Sequence, residues 1–349
     1  MPRPKKISQT QLARELGLSQ AMVSLVLNGR REGINPETYD RIWALAVRRG
    51  YHPKGMRLAS SPAAQTRQVG FILRARLAPH TQSNYFGHVQ EGLQTALATR
   101  GFSTVFLGTE NSLDHAEIRR FFQPGHLFQG IVLLGEVARP FLDELRQVER
   151  RIVAVSARYP GVCHSVVGNE PQALDLLVRH LHGLGHRRIG WLGGNAALGR
   201  HAARFDAFRA ALRELDLPCD ARYCAALEQA DRAEGVEAAH AMLAHARRKD
   251  FPTAFVCYNT LMVVGAMRAW ERAGWRVPAE VSLASADASP DASTAKPWIT
   301  AAGSSPDKLG EAAARLVLAS TGAEDESFTD LMLPAQLLVG DTSGPAGLK

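Results

Sequence analysis

The stretch SQTQLARELGLSQAMVSLVLNG, Ser8 to Gly29, decides the fold of the front of this 349-residue chain. Ser8-Gln9-Thr10-Gln11 has the S-x-x-Q form of a capping box, with the Ser8 hydroxyl placed to accept from the Gln11 amide, and predicts a helix from about Gln9 to Leu16. Gly17 follows Ala13 by four residues, where a small side chain lets a second helix approach and a glycine permits a left-handed turn. Ser19 restarts the chain as an N-cap, and Val23, Val26 and Leu27 lay an apolar stripe on the second helix. Leu12, Ala13, Leu16, Leu18, Val23 and Val26 together match the packing of two short helices at a steep angle. A third helix is signalled by Asn35-Pro36-Glu37, a cap followed by proline at the first helical position, and ends at Gly50.

Charge separates this module from the rest of the chain. Residues 1–60 hold 11 Lys and Arg against 4 Asp and Glu, a net +7, whereas the remaining 289 hold 30 of each sign. A generic helical hairpin would fit the apolar pattern, but a helix-turn-helix within a basic block points to the phosphate backbone of DNA, where counterion release supplies sequence-independent affinity. If the module docks as others of its kind do, the first-turn residues Gln20 and Ala21 face the major groove. Gln forms a bidentate pair with adenine and Ala touches a thymine methyl; the alternative for Gln20 is a solvated surface amide. Ser24 and Asn28 are candidate phosphate contacts, as are Lys5 and Lys6 on the preceding arm, and Ser19 at the helix cap belongs with this surface.

Composition bounds the remainder. With 46% hydrophobic residues the chain has material for at least two cores. No apolar run approaches the ~18 residues of a membrane span, and Met1-Pro-Arg-Pro-Lys-Lys leads into polar helix instead of a signal-peptide apolar stretch, so a cytoplasmic protein is expected. Cys163, Cys219, Cys224 and Cys257 have neither CxxC spacing nor scaffold density, which favours reduced thiols. From Gln68 onward, Val69–Leu73, Thr104–Leu107, Ile131–Leu134 and Ile152–Val155 read as buried parallel strands, and Ile189–Leu192, Ala254–Cys257 and Val281–Ala284 form a second set. Helical patterns separate them: Val89, Leu93, Ala96 and Leu97 mark one helix face ended by Gly101, and further helices fall around Gln172–Leu184, Ala202–Leu215 and Leu261–Ala273. Such alternation implies two doubly wound α/β lobes, whose ligands bind at the carboxyl ends of the strands.

Gly17-Leu18-Ser19, Val23-Ser24, Val26-Leu27-Asn28-Gly29, Ile34-Asn35-Pro36-Glu37-Thr38 and Gly50-Tyr51-His52-Pro53 resemble the DNA-binding head of the lactose repressor / galactose repressor (LacI/GalR) family. The resemblance continues through Asn84-Tyr85-Phe86, Leu184–Ile189, Arg204–Leu212, Val277–Ser282 and Asp287, covering nearly the whole chain. It implies a three-helix helix-turn-helix domain with a hinge at 1–60, a linker at 61–67, and a periplasmic-binding-protein-like body at 68–344 that binds effector and dimerises. Three crossings between lobes are expected near Arg158–Val162, Asp287–Ser289 and Ser320–Gly322. The N-lobe would then hold 68–158 and 288–320, and the C-lobe 159–287 and 321–344.

The resemblance also implies an effector pocket. Tyr85-Phe86, expected on the loop after the first strand, is similar to an aromatic pair that stacks on base in some members. Arg204 matches an arginine that clamps ligand polar groups, as a planar bidentate donor can. Asn259 and Asp287, each just past a strand end, match positions that hydrogen-bond ligand; the alternative for all of these is a satisfied structural polar residue. The sequence departs from the family pattern at Thr260 and Ala157, where members often carry Asp, which removes two acceptors for sugar hydroxyls and leaves an unusual or anionic ligand, or none, in view. It departs again after His52-Pro53: the usual hinge-helix pattern is replaced by Lys54-Gly55-Met56-Arg57-Leu58-Ala59-Ser60, where Met56 or Leu58 serves as a minor-groove wedge or the segment is a flexible linker. Leu25 replaces an arginine found in a member of the family, removing any guanine readout there.

Other signals carry less. His182-x-x-x-His186 lacks a third ligand and is broken by Gly183 and Gly185, so no metal site is expected. Gly190–Gly194 reads better as a strand-to-helix turn than as a phosphate cradle, and no nucleophile-base-acid order such as G-x-S-x-G appears, so neither a cofactor nor catalysis is expected. The reading is a transcriptional regulator, most simply a repressor, that binds a pseudo-palindromic operator on double-stranded DNA as a homodimer under control of a small molecule. Residues 340–345 show no heptad tail, which favours a dimer over a tailed tetramer. A solute-sensing protein of the periplasmic-binding type with no DNA role is the rival, and an enzyme on the same scaffold a distant third.

Overall fold

The computed structural model describes residues 8–27, 34–35, 38, 41–42, 45, 67–74, 85–121, 128–290, 292, 296–323 and 327–347. The chain divides into two units, Met1–Ala64 and Gln65–Lys349. In the first, α1 (Gln9–Leu16) follows the predicted boundaries, and α2 (Gln20–Leu27) begins directly after the predicted cap at Ser19. The capping box forms: the Gln11 amide donates to Ser8 Oγ at 3.2 Å and the Ser8 amide to Gln11 Oε1 at 2.8 Å. Gly17 takes the left-handed conformation at φ 66°, which no residue with a Cβ adopts cheaply. Leu12, Ala13, Val23 and Val26 are buried together with Ile42, and Leu16, Leu18, Met22, Ile34 and Leu45 pack around them. Of the expected third helix, the described residues Thr38, Arg41, Ile42 and Leu45 are helical. Lys5, Lys6, Asn28, Met56 and Leu58, with the whole Lys54–Ser60 joint, lie outside the described residues.

The second unit holds two sheets. The first contains β1 (Arg67–Leu73), β2 (Phe102–Thr109), β3 (Phe128–Leu134), β4 (Ile152–Val155), β5 (His164–Gly168) and β11 (Asp330–Leu333), in the order β11-β5-β4-β3-β1-β2. The second contains β6 (Ile189–Gly193), β7 (Cys224–Ala226), β8 (Ala254–Cys257), β9 (Ser282–Ser285), β10 (Thr300–Gly303) and β12 (Gln336–Leu338), in the order β12-β10-β9-β8-β6-β7. All the strand pairs are parallel except β10–β12. Helices cover both faces of the N-lobe sheet, so its central strands are apolar on both sides. Val132 and Leu134 of β3 join a core with α3 (Tyr85–Ala98) and α10 (Pro306–Ala319), while Ile131 and Leu133 join the opposite core with α4 (His115–Phe121) and α5 (Arg139–Val148). α3 and α10 meet backbone to backbone: a Cβ at Gly310 would stand 1.9 Å from Val89 O, and one at Gly92 2.0 Å from Asp307 O. The C-lobe is built on α6 (Glu170–Gly183), α7 (Gly199–Glu214), α8 (Arg232–Leu243) and α9 (Thr260–Arg272) around Trp191, Phe208, Phe255 and Trp270.

The chain passes between lobes three times, each time later than expected, by about 10, 16 and 13 residues in turn. The crossings follow β5, β10 and β11, at 168–170, 303–306 and 333–336. β5 and β11 therefore belong to the N-lobe and β10 to the C-lobe, which corrects the lobe boundaries drawn from the sequence. The missed strands explain the error: Thr300-Ala301-Ala302-Gly303 has no large apolar side chain, yet Thr300, Ala301 and Ala302 are fully buried. Hydrophobic pattern marks a strand by its bulky residues, and a strand of small residues is invisible to it. The crossings are bonded to one another: the Asn169 amide donates to Leu333 O at 2.9 Å, Ser304 Oγ to Leu333 O at 2.8 Å, and the Ala335 amide to Gln172 Oε1 at 2.8 Å. No helix among the described residues is long and apolar enough to cross a membrane.

Candidate functional site

Two surfaces present unsatisfied chemistry. On the first unit, Ser19, Gln20 and Ala21 are exposed at the start of α2, where Ser19 Oγ accepts from the Met22 amide at 3.2 Å. Capping fixes where the helix begins, and so which residues fill its first turn. Ser24 is half-buried, and Leu25 is 40% exposed, an apolar side chain kept out of the local core.

On the second unit a cavity of about 100 Å³ lies between the two lobes at the carboxyl ends of their strands. The N-lobe contributes Arg74 after β1, Tyr85 and Phe86, Gly135 and Glu136 after β3, and Ser156 after β4. The C-lobe contributes Asn195 and Leu198 after β6, Arg200 and Arg204, residues 229–231 after β7, Tyr258, Asn259 and Leu261 after β8, and Asp287 after β9. Tyr85, Phe86, Arg204, Asn259 and Asp287 are thus brought together, although Tyr85 and Phe86 form the first turn of α3 and not the expected loop. Ser156 and Asn195 hold positive φ of 60° and 54°, two of the three such non-glycine residues among those described. Backbone strain of this kind persists where surrounding structure enforces it, and it clusters at binding sites.

Each candidate makes specific contacts. The Tyr85 hydroxyl lies 3.0 Å from Ser156 Oγ, and its ring packs edge-on to Phe86. Asn259 caps α9, accepting from the Met262 amide at 2.9 Å, and donates through Nδ2 to Ala230 O at 2.7 Å. Its amide is thereby engaged by the protein at both ends. Thr260 Oγ1 donates to Asp287 Oδ1 at 2.6 Å, so the threonine that departs from the family pattern orients the neighbouring carboxylate. Arg204 is 1% exposed; its Nε donates to Glu170 Oε2 at 2.8 Å, its Nη1 donates to the Tyr258 carbonyl, and its guanidinium lies 4.7 Å from the centre of the Tyr258 ring.

Glu170 and Arg200 are the members of this group that sequence reasoning missed. Arg200 stands one helical turn before Arg204 and donates from Nε to Glu170 Oε1 at 2.8 Å and from Nη2 to the Tyr85 hydroxyl at 3.2 Å. Burial alone would push Glu170 up, but Arg200 and Arg204 outweigh it and hold the carboxyl below the usual range. The i, i+4 spacing of the two arginines was readable; that they face a carboxylate on a neighbouring helix was not. Among the described residues, two hydrogen bonds span the cleft through the N-terminus of α7: Arg200 to Tyr85, and the Gly199 amide to Glu136 Oε2 at 2.9 Å. An acidic side chain is well placed at a helix N-terminus.

His180 and His186 have structural partners: His180 Nε2 lies 2.9 Å from Ser343 Oγ. His186 Nδ1 lies 2.8 Å from Thr253 Oγ1, and its Nε2 lies 3.1 Å from both Ser282 Oγ and Gly344 O; burial pushes its pKa down. All four cysteines are free thiols.

Residues 178–343 match the family model of the periplasmic binding protein-like domain. The HTH-type transcriptional repressor PurR of Yersinia pestis is 24% identical over 313 residues, covering 88% of each chain. A LacI family transcriptional regulator from Mycobacterium smegmatis superposes with a TM-score of 0.68 at 23% identity, over 79% of this chain and 99% of that one. The lac repressor dimer bound to operator and the anti-inducer ONPF superposes with a TM-score of 0.66 at 20% identity, over 97% of this chain and all of that one. With a helix-turn-helix pattern in its first sixty residues, two α/β lobes joined by three crossings after it, and this similarity along nearly its whole length, the chain resembles the LacI/GalR-family transcriptional regulators.

Proposed function

We propose that the chain is a cytoplasmic repressor that binds a pseudo-palindromic operator as a homodimer and is released from it, or held on it, by a small molecule in the interlobe cleft. The observation that carries this reading is the pairing, in one chain, of an exposed polar first turn at Gln20-Ala21 with a cleft walled by Tyr85, Phe86, Arg204 and Asp287. Gln20 would read a base edge, while Ser19, Ser24, Asn28, Lys5 and Lys6 would position the helix on phosphate. One head reads a half-site, so two-fold DNA calls for a two-fold protein. Phe106, 47% exposed on the edge strand β2, supplies apolar surface that a second copy would cover.

Effector in the cleft would change the angle between lobes at the Asn169, Ser304 and Leu333 crossings. Its control of DNA binding is then a difference in affinity for two quaternary states, read out through Lys54–Ser60. Met56 or Leu58 would enter the minor groove in the bound state. No residue is assigned a catalytic role. The test is a gel shift on the DNA upstream of the protein's own gene over a salt series, with sedimentation to give the stoichiometry. A steep loss of affinity with salt and two chains per site is the expected result. Salt-independent binding, or none, returns the chain to the solute-sensing reading.

A further inference from the structure

The contacts of Arg200 and Arg204 leave a particular set of donors facing the cleft. Both guanidiniums turn their Nε edge to Glu170, one to each carboxylate oxygen, at 2.8 Å. Arg200 then uses Nη2 on the Tyr85 hydroxyl and Arg204 uses Nη1 on the Tyr258 carbonyl. Nη1 of Arg200 and Nη2 of Arg204 have no acceptor among the described residues, and both side chains line the cavity. The acids of the same cavity are engaged differently. Glu136 accepts from the Gly199 amide, Asp231 caps α8, and Asp287 accepts from Thr260 and Ser285. The aromatic walls are also partly occupied: Arg200 lies 4.9 Å from the centre of the Tyr85 ring and Arg204 4.7 Å from that of Tyr258, so each ring has one face taken by a guanidinium.

We propose that the cleft takes a small organic oxyanion, its carboxylate or phosphate group bound by Nη1 of Arg200 and Nη2 of Arg204, with Glu170 holding the two guanidiniums in place. The inference rests on the cleft being the effector site. Charge-assisted bonds from two fixed forks favour an anion over a hydroxyl or carbonyl, which would accept the same N–H groups more weakly. Glu170 fixes both side chains before ligand arrives, so little side-chain freedom is lost on binding. The free oxygen of Asp287 sits on the same wall and would accept from a hydroxyl or ammonium elsewhere on the ligand.

Thermal shift and titration calorimetry on the full chain, with gluconate, glutamate, glucose 6-phosphate and inorganic phosphate against glucose and adenine, decide the matter. At least one anion should raise Tm while both neutral compounds leave it unchanged, and carboxylate and phosphate arms show which group is preferred. Arg200→Gln should weaken that anion at least tenfold, and Arg200→Lys, which keeps the charge, should weaken it less; the lysine variant carries the test if the glutamine variant unfolds. Stabilisation by glucose or adenine alone, no response to any anion, or an anion affinity untouched at Arg200 overturns the proposal. If a neutral compound binds and Phe86→Ala removes the binding, the cleft stands as the effector site and only its anion selectivity falls. If an anion binds with affinity unchanged in both Arg200→Gln and Phe86→Ala, the cleft itself is not the site.

Discussion

The α2 surface and the interlobe cleft are built on opposite plans. Ser19, Gln20 and Ala21 are neighbours in sequence, exposed, and placed by a local cap; Tyr85, Ser156, Glu170, Arg200, Arg204 and Asp287 span 203 positions of the chain, and most are buried. In the head, hydrogen bonds that fix the site run over three residues, whereas in the cleft they run over 34, 71 or 115. A locally built site tolerates substitution of its reading residues with little cost to folding. A site assembled from distant elements is also part of the core, and its residues carry stability and recognition together.

That contrast is broken or sharpened most by Arg204→Ala. Removing one partner of a buried charged group costs about 3–5 kcal/mol, and because Arg200 still faces Glu170 the low end applies. The variant should lose thermal stability and effector response together, measured by calorimetry with and without ligand. An unchanged Tm would show that the cleft can be altered as freely as the head. Gln20→Ala comes next: a loss of ~1–3 kcal/mol in operator binding, with unchanged Tm and little change in non-specific binding. Equal losses on specific and random DNA would make Gln20 a surface amide. Ser19→Ala should cost about 1 kcal/mol through the lost cap at the start of α2, read from chemical denaturation of the head. Ser19→Gly should cost only a few tenths, and the reverse order would refute the capping account.

The gentlest test uses pH. His186 is held neutral by burial, its folded pKa below the ordinary ~6.5. The unfolded chain then binds more protons in the interval between the two values. Stability from this group is therefore complete above ~6.5 and declines as pH falls towards the folded value. Glu170 follows the same sign at lower pH: its contribution is present above the ordinary carboxylate range and is lost as pH falls through its depressed folded value. Replacing His186 by asparagine should flatten the upper part of the profile in a denaturation series at stepped pH and leave the lower part as it was.

The legible parts of the molecule were those whose physics is local or periodic. The capping box at Ser8, the turn at Gly17, the cap at Ser19 and the strands β1, β3, β4 and β8 follow from spacing alone, because a helix cap needs partners three residues away and a central strand needs a run of bulky apolar residues. β5 and β10 were missed, and the lobe boundaries with them, because strands of small or polar residues are stabilised by what neighbouring strands bury around them.

The spacing of residues along the chain therefore fixed the architecture, a basic helix-turn-helix unit followed by a neutral two-lobed body, and named Gln20 and Ala21 as the first turn of α2. It could name Arg204 and Asp287, since motif positions are linear. Only the tertiary structure decided that Glu170 joins Arg200 to Arg204, that Thr260 turns the Asp287 carboxylate, and that α7 bridges the lobes through Tyr85 and Glu136. Those bonds depend on how helices and strand ends are brought against one another, and the free energy that selects among such arrangements comes from the burial of the whole core, not from the spacing of any one segment.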